Sequence, residues 1–233
     1  MNFAIPAWEM PSVPIHGTAE RFPVRHIYCV GRNYAEHAKE MGGDATKEPP
    51  FFFCKAADAI LAVDAGHRGR MHYPLATQDL HHEIEMVVAI GRAGVQRTPQ
   101  NALELVFGYA VGLDMTRRDL QNQMREKKRP WDIGKSFAQA APIAPIHRVA
   151  EVGHPARGAI ALAVNGAERQ RGDLADMIWD VPNMIAFLTT MYELLPGDLI
   201  FSGTPAGVAK VVAGDRLDGS IAGLTSLAVD LVA

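Results

Sequence analysis

Cysteine is nearly absent: Cys29 and Cys54 are the only two in 233 residues. Two thiols cannot build a disulfide framework or a thiolate metal cage, so both are expected to pack as small hydrophobes. Neither sign of charge dominates. A net charge of −3, spread along the chain, leaves no electrostatic footprint for nucleic acid or for an anionic membrane surface. The one basic run, "REKKRP" (125–130), is short and suits a solvated helix end better than a nucleic-acid module. No stretch approaches the ~20 apolar residues of a membrane span. The first residues, "MNFAIPAWEMPSVPIHG", carry neither a basic leader nor an apolar run of signal length, and a cytoplasmic protein is expected. Repeats, linkers and low-complexity tracts are missing too.

With 48% hydrophobic and 21% charged residues, the chain suits a globular protein with one sizeable core. Residues 1–24, with Pro6, Pro11, Pro14 and Gly17 and no sustained periodicity, are expected to form a lead-in arm packed on a main domain spanning 25–233. "HIYCVG" (26–31) predicts a buried strand stopped by Gly31. "NYAEHAKEMGG" predicts a short helix, and "FFFCKAADAIL" (51–61) a strand then a turn, with Lys55 embedded in it. "EIEMVVAIG" (83–91) and "VFGYAVGLDMT" (106–116) predict strands, and "RRDLQNQMREKKRPWD" (117–132) a short helix then a loop. "AIALAVNGAERQRG" (159–172) is a hairpin about an Asn-Gly turn, and "DVPNMIAFLTTMYELLPGD" (180–198) an amphipathic helix stopped by Pro-Gly. The remainder is short strands joined by Gly-rich turns. The expected class is mixed and mainly β, with a few helices.

Within "DLHHEIEMVVAIG" (79–91), Glu83 and Glu85 stand two apart in an otherwise apolar strand. Side chains alternate faces along a strand, so the two project from one side roughly 7 Å apart, with Ile84 and Met86 on the other. In a helix the same spacing would splay them by about 200°. Burying ionised carboxylates costs several kcal/mol or more without a partner, so a cation between them is expected. An all-oxygen site favours a hard divalent ion, Mg²⁺ or Mn²⁺. Asp114, ending "YAVGLD", could arrive at the same edge from a neighbouring strand. The same spacing also suits the solvent face of an edge strand. His81 would share that face as a structural or outer partner.

In "GRNYAEHAKEM", His37 and Glu40 lie three apart on one helical face, where a carboxylate can orient an imidazole and raise its basicity. A surface ion pair has the same spacing. "DIGKSF" sets Lys135 in a partly apolar context, suited to a developing oxyanion or simply to solvent. "SGTPAG" (202–207) offers a hydroxyl and backbone N–H groups to an anion.

Taken in order, "YCVGRNYAEHAKEM", "LHHEIEMVVAIG", "GLDMTRRDLQ", "RPWDIGKSF", "NGAERQRG" and "GDLIFSGTPAGV" resemble the fumarylacetoacetate hydrolase family across residues ~25–210. The lead "VPIHG", the "EPPFFFCK" block and "DLADMIWDVPNMI" look most like the family's bacterial branch that cleaves fumarylpyruvate in gentisate degradation. The resemblance implies a mixed β-roll with a few flanking helices, usually a homodimer. It implies Glu83, Glu85 and Asp114 as metal ligands, His37 and Glu40 as a water-activating dyad on a lid, and Lys135 as the active-site lysine. Arg118, Gln121 and Gln170 match polar positions near substrate, and Thr204 matches the residue that holds an α-keto-acid carboxylate. Arg32 and Tyr34, beside the dyad, would grip a far carboxylate.

The implied reaction is metal-dependent hydrolysis of an acylpyruvate, 3-fumarylpyruvate giving fumarate and pyruvate. Oxaloacetate decarboxylation and isomerisation of related 2-oxo acids pass through a similar enolate and stay open, although the dyad favours hydrolysis. A non-catalytic dicarboxylate binder would be marked by loss of a ligand, the dyad or Lys135, and all are present. Where relatives carry polar residues or proline, this chain has Ala138, Ala140 and Ala56, which bears on substrate selectivity.

Overall fold

The computed structural model describes residues 3–36 and 49–233. The strands that position the site are β1 (His26–Gly31), β2 (Phe51–Lys55), β3 (Ile60–Ala62), β4 (Gly69–His72), β5 (Ile84–Ile90), β6 (Val106–Leu113), β7 (Ala141–Ile143), β8 (Ala159–Val164), β9 (Ala167–Asp173), β10 (Asp198–Phe201), β11 (Arg216–Ile221) and β12 (Leu227–Val232). Among the helices, α1 (Arg118–Glu126), α2 (Asp132–Lys135) and α3 (Val181–Leu188) bear on the argument. A large sheet runs β2-β1-β10-β5-β6-β7-β3, and a five-stranded sheet runs β9-β8-β11-β12-β4. Most pairings are antiparallel; β10 with β1, β7 with β3 and β12 with β4 are parallel. The architecture is the expected mixed, mainly β one.

Strand β5 shows why the sheets stack as they do. It is buried on both faces, which is why it reads as a nearly continuous apolar run. Ile84, Met86, Val88 and Ile90 enter the main core, where Gly219 of β11 packs so closely on Ile84 that a Cβ would lie 2.6 Å from it. Val87 and Ala89 enter a second core, closed by Val13, Ile15 and Phe22 of the N-terminal arm. Each fully buried aliphatic side chain contributes roughly 1.5–3 kcal/mol. A one-residue slip would drive Glu85 into the main core and exchange the side chains that fill the two cores, so the register is strongly fixed.

One expectation needs correction. The helix expected over 180–198 stops at Leu188, well before Pro196–Gly197. The hydroxyls of Thr189 and Thr190 donate back to the carbonyls of Ala186 and Phe187, and Leu194 instead bridges Gly94 as isolated β structure. The short helix and loop expected over 117–132 form as α1 and the residues that follow it, and a further helical turn, α2, starts at Asp132 and delivers Lys135. The 159–172 hairpin forms as expected, extending to Asp173, with Asn165 and Gly166 both at positive φ as a type I′ turn requires. Among the described residues, no helix is long and apolar enough to cross a membrane.

Candidate active site

Strands β5 and β6 bring the acidic residues together. Their register pairs Ile84 with Leu113, and the N–H of Asp114 donates to the carbonyl of Glu83 at 2.8 Å. Glu83 therefore sits just before one strand, opposite Asp114 just after the other, and Glu85 follows on the face of Glu83. One oxygen from each of the three carboxylates lies within 4.8 Å of the others, and none of the residues is more than 4% exposed. The edge-strand alternative, with both glutamates in solvent, is excluded by this burial.

Three cations answer the three carboxylates. Lys135 Nζ donates to Glu83 Oε2 at 2.6 Å and to Asp114 Oδ2 at 2.8 Å. The guanidinium of Arg118 donates to Glu83 Oε1, to Gln121 Oε1 and, at 3.4 Å, to His81 Nδ1. Lys55 Nζ lies 2.8 Å from Asp114 Oδ1. Burial raises the Glu85 carboxyl well above the ordinary carboxylate range, and repulsion from Asp114 and Glu83 adds to this against the pull of Lys135 and the Gly203 N–H. Burial alone would lower the Lys135 ammonium, but Asp114 and Glu83 outweigh it and hold it above its usual value. The donor set is all oxygen and anionic, which fits a hard divalent cation.

The opposite wall is the loop after β10. Gly203, at φ +93°, donates its N–H to Glu85 Oε2 at 2.8 Å, and a Cβ there would lie 2.6 Å from Asn33 Cβ. Asn33, fully buried, pins this loop: its side-chain N–H₂ donates to the carbonyls of Ser202 (2.7 Å) and Trp179 (2.9 Å), and its Oδ1 accepts from Trp179 N–H at 2.7 Å. Thr204 follows and lines the pocket.

Gln170 lies directly behind Thr204. Its amide oxygen accepts from Ile84 N–H (3.1 Å) and from His82 Nδ1 (2.8 Å), while its amide nitrogen donates to Thr204 Oγ1 and the Pro205 carbonyl, both at 2.8 Å. All its polar capacity is committed to protein, so it orients Thr204 and the start of β5. The amide oxygen can only accept, which puts the His82 proton on Nδ1.

Helix α1 directs Arg118, Gln121 and Arg125 from one face into the pocket, consistent with their i, i+3, i+7 spacing. Arg32, at φ +58°, and Trp131 line the same pocket, and Arg32 stacks 6.0 Å from the Phe51 ring centroid. Tyr34 is buried nearby, its phenol raised by burial and then by the Glu85 charge, and its hydroxyl has no hydrogen-bond partner among the described residues. His37 and Glu40 lie outside the described residues. His81 bonds Asp79 at 2.9 Å and approaches the site only through Arg118.

Sequence reasoning passed over Lys55, Asn33, Arg125 and Trp131. For Lys55 a signal existed: a lone lysine closing the apolar run "FFFC" needs a buried anion. Asn33 offered none, because its partners come from two distant loops.

The family model described as fumarylacetoacetate (FAA) hydrolase, C-terminal, matches residues 26–232. A fumarylpyruvate hydrolase from a Ralstonia species is 42% identical over 189 residues, covering 80% of this chain and 94% of the relative. An oxaloacetate tautomerase from Escherichia coli K12 is 37% identical over 197 residues, covering 84% and 88%. The crystal structure of fumarylpyruvate hydrolase from Pseudomonas aeruginosa in complex with Mn²⁺ and pyruvate superposes with a TM-score of 0.97 at 52% identity, covering 99% of each chain.

Proposed function

The chain belongs to the fumarylacetoacetate hydrolase family, and on that footing we propose that it hydrolyses a carbon–carbon bond of an acylpyruvate, with 3-fumarylpyruvate giving fumarate and pyruvate. The observation that carries this reading is the buried Glu83–Glu85–Asp114 cluster on the floor of a pocket lined by Lys135, Arg118 and Thr204. It is supported by the Ralstonia and Pseudomonas relatives, the second of which was crystallised with Mn²⁺ and pyruvate. A cytoplasmic homodimer serving gentisate-type aromatic degradation goes with the same reading.

Glu83, Glu85 and Asp114 would hold Mg²⁺ or Mn²⁺. When bound, the cation supplies Lewis-acid stabilisation for the charge that develops on the leaving pyruvate. Thr204, fixed by Gln170, presents its hydroxyl to the α-keto-acid carboxylate. His37, oriented by Glu40, takes a proton from the water that adds to the distal ketone. The C3–C4 bond then breaks, the new carboxyl leaves on fumarate, and the electron pair passes to the pyruvate fragment as an enolate, whose C3 takes up the proton that His37 received, giving pyruvate. Lys135 is already buried among anions and stays protonated, so it can place positive charge beside the enolate oxygen. Arg118 is committed to Glu83, Gln121 and His81, and it orders the acidic cluster. Arg32 and Arg125, at the mouth, are better placed for the far carboxylate.

The test follows the acylpyruvate enol absorbance with purified protein, 3-fumarylpyruvate and Mg²⁺, beside oxaloacetate tautomerase and decarboxylase assays. Metal-dependent loss giving equal fumarate and pyruvate, abolished by EDTA and by His37→Ala, is expected. Faster turnover of oxaloacetate, retained in His37→Ala, would replace hydrolysis with the chemistry named for the E. coli relative.

A further inference from the structure

Lys55 closes β2 with its side chain wholly buried, yet it does not line the pocket. An ammonium has three N–H donors. Lys55 Nζ donates to the Met115 carbonyl at 3.1 Å and to the Lys135 carbonyl, and it lies 2.8 Å from Asp114 Oδ1 as an ion pair, an oxygen that accepts no hydrogen bond among the described residues. The neighbouring Lys135 ammonium contacts Asp114 through the other oxygen, Oδ2, at 2.8 Å. The two lysines thus divide one carboxylate. Lys55 pairs with Oδ1 through charge, while Oδ2 shares the Lys135 ammonium with Glu83 Oε2.

We propose that Lys55 is a positioning residue for divalent-metal binding. By its ion pair with Oδ1, opposite the Lys135 contact with Oδ2, it fixes the Asp114 rotamer that sets this carboxylate beside Glu83 and Glu85. By bonding the carbonyls of Met115 and Lys135 it locks the backbone just after β6 to the end of α2, so that ligand and active-site lysine move together. The proposal rests on the reading that the three carboxylates hold a divalent cation.

Its alternative is a passive counter-charge, and the two make opposite predictions. A buried positive charge beside the cluster repels an incoming dication, so removing a mere counter-charge would tighten metal binding. Removing a positioning residue loosens it, because Asp114 can then rotate away.

The experiment is calorimetric titration of Mn²⁺ into chelator-treated protein, with the bound ion followed by electron paramagnetic resonance. The variants are Lys55→Met, Asp114→Asn and the double variant, with circular dichroism checking the fold of each. Lys55→Met is expected to weaken Mn²⁺ binding about tenfold or more. The double variant is expected to bind no more weakly than Asp114→Asn alone, because Lys55 acts through Asp114. Unchanged or tighter binding in Lys55→Met, or additive losses in the double variant, would overturn the proposal. Should the methionine variant not fold, Lys55→Gln, which keeps an N–H donor, carries the same expected direction and the same contrary result. If Mn²⁺ binding is indifferent to Asp114→Asn, the metal reading falls and Lys55's role falls with it; intact wild-type dependence on Asp114 with no Lys55 effect removes only the latter.

Discussion

The N–H of Asp114 donates to the carbonyl of Glu83 at 2.8 Å, which makes two buried carboxylates cross-strand neighbours at the open end of β5 and β6. Such proximity is tolerable because Lys135 bridges their side chains. Asp114→Ala is therefore expected to destabilise the metal-free protein by about 3–5 kcal/mol, since two buried ammonium groups lose a counter-charge. Urea unfolding with chelator present measures this, and a loss below about 1 kcal/mol would show the lysines to be solvated when Asp114 is gone.

Glu85 responds to pH in the opposite sense from a salt-bridged carboxylate. Its folded pKa is raised by burial and by its acidic neighbours, so the folded chain holds a proton that the unfolded chain, titrating near ~4.3, releases. The associated stability is complete below the unfolded value and is lost as pH rises through the folded one, at up to about 1.4 kcal/mol per pH unit. Glu85→Gln removes this dependence and can still accept from Gly203. Without metal, wild type should lose stability relative to Glu85→Gln as pH rises above ~5, and thermal melts across that window check it. Parallel curves would refute the raised pKa.

At the pocket mouth, Arg32→Met and Arg125→Met are each expected to lower kcat/KM on fumarylpyruvate, and the residue that clamps the far carboxylate should cost roughly 2–3 kcal/mol there. Acetylpyruvate, which lacks that carboxylate, should be nearly indifferent. Equal losses on both substrates would assign the arginine to general architecture.

Gly203 combines a positive φ with close contact to Asn33. Gly203→Ala should cost on the order of 1–3 kcal/mol from backbone strain, with further loss where Asn33 must yield. Weaker Mn²⁺ binding should accompany it, because the same residue's N–H steadies Glu85. Calorimetry together with a denaturant midpoint reads both, and unaltered metal affinity would show that the loop and the carboxylate are independent.

The residues themselves determined the alternation in "EIEMVVAIG" that puts Glu83 and Glu85 on one face, the Asn-Gly turn of the β8–β9 hairpin, and an order of motifs that marks the family. These are local properties: a period of two along a strand and the φ preferences of a turn need no distant partner to be legible. Only the tertiary structure decided which cations neutralise the buried acids. Lys55, Arg118 and Lys135 arrive from β2, α1 and α2, and no spacing rule links them to Glu83. Packing likewise committed Gln170 to the protein interior and ended α3 at Leu188, where Thr hydroxyls and a bridge to Gly94 outcompeted continued helix. Charge compensation and hydrogen-bond satisfaction act through space between segments dozens of residues apart, so they become visible only once the sheets are closed.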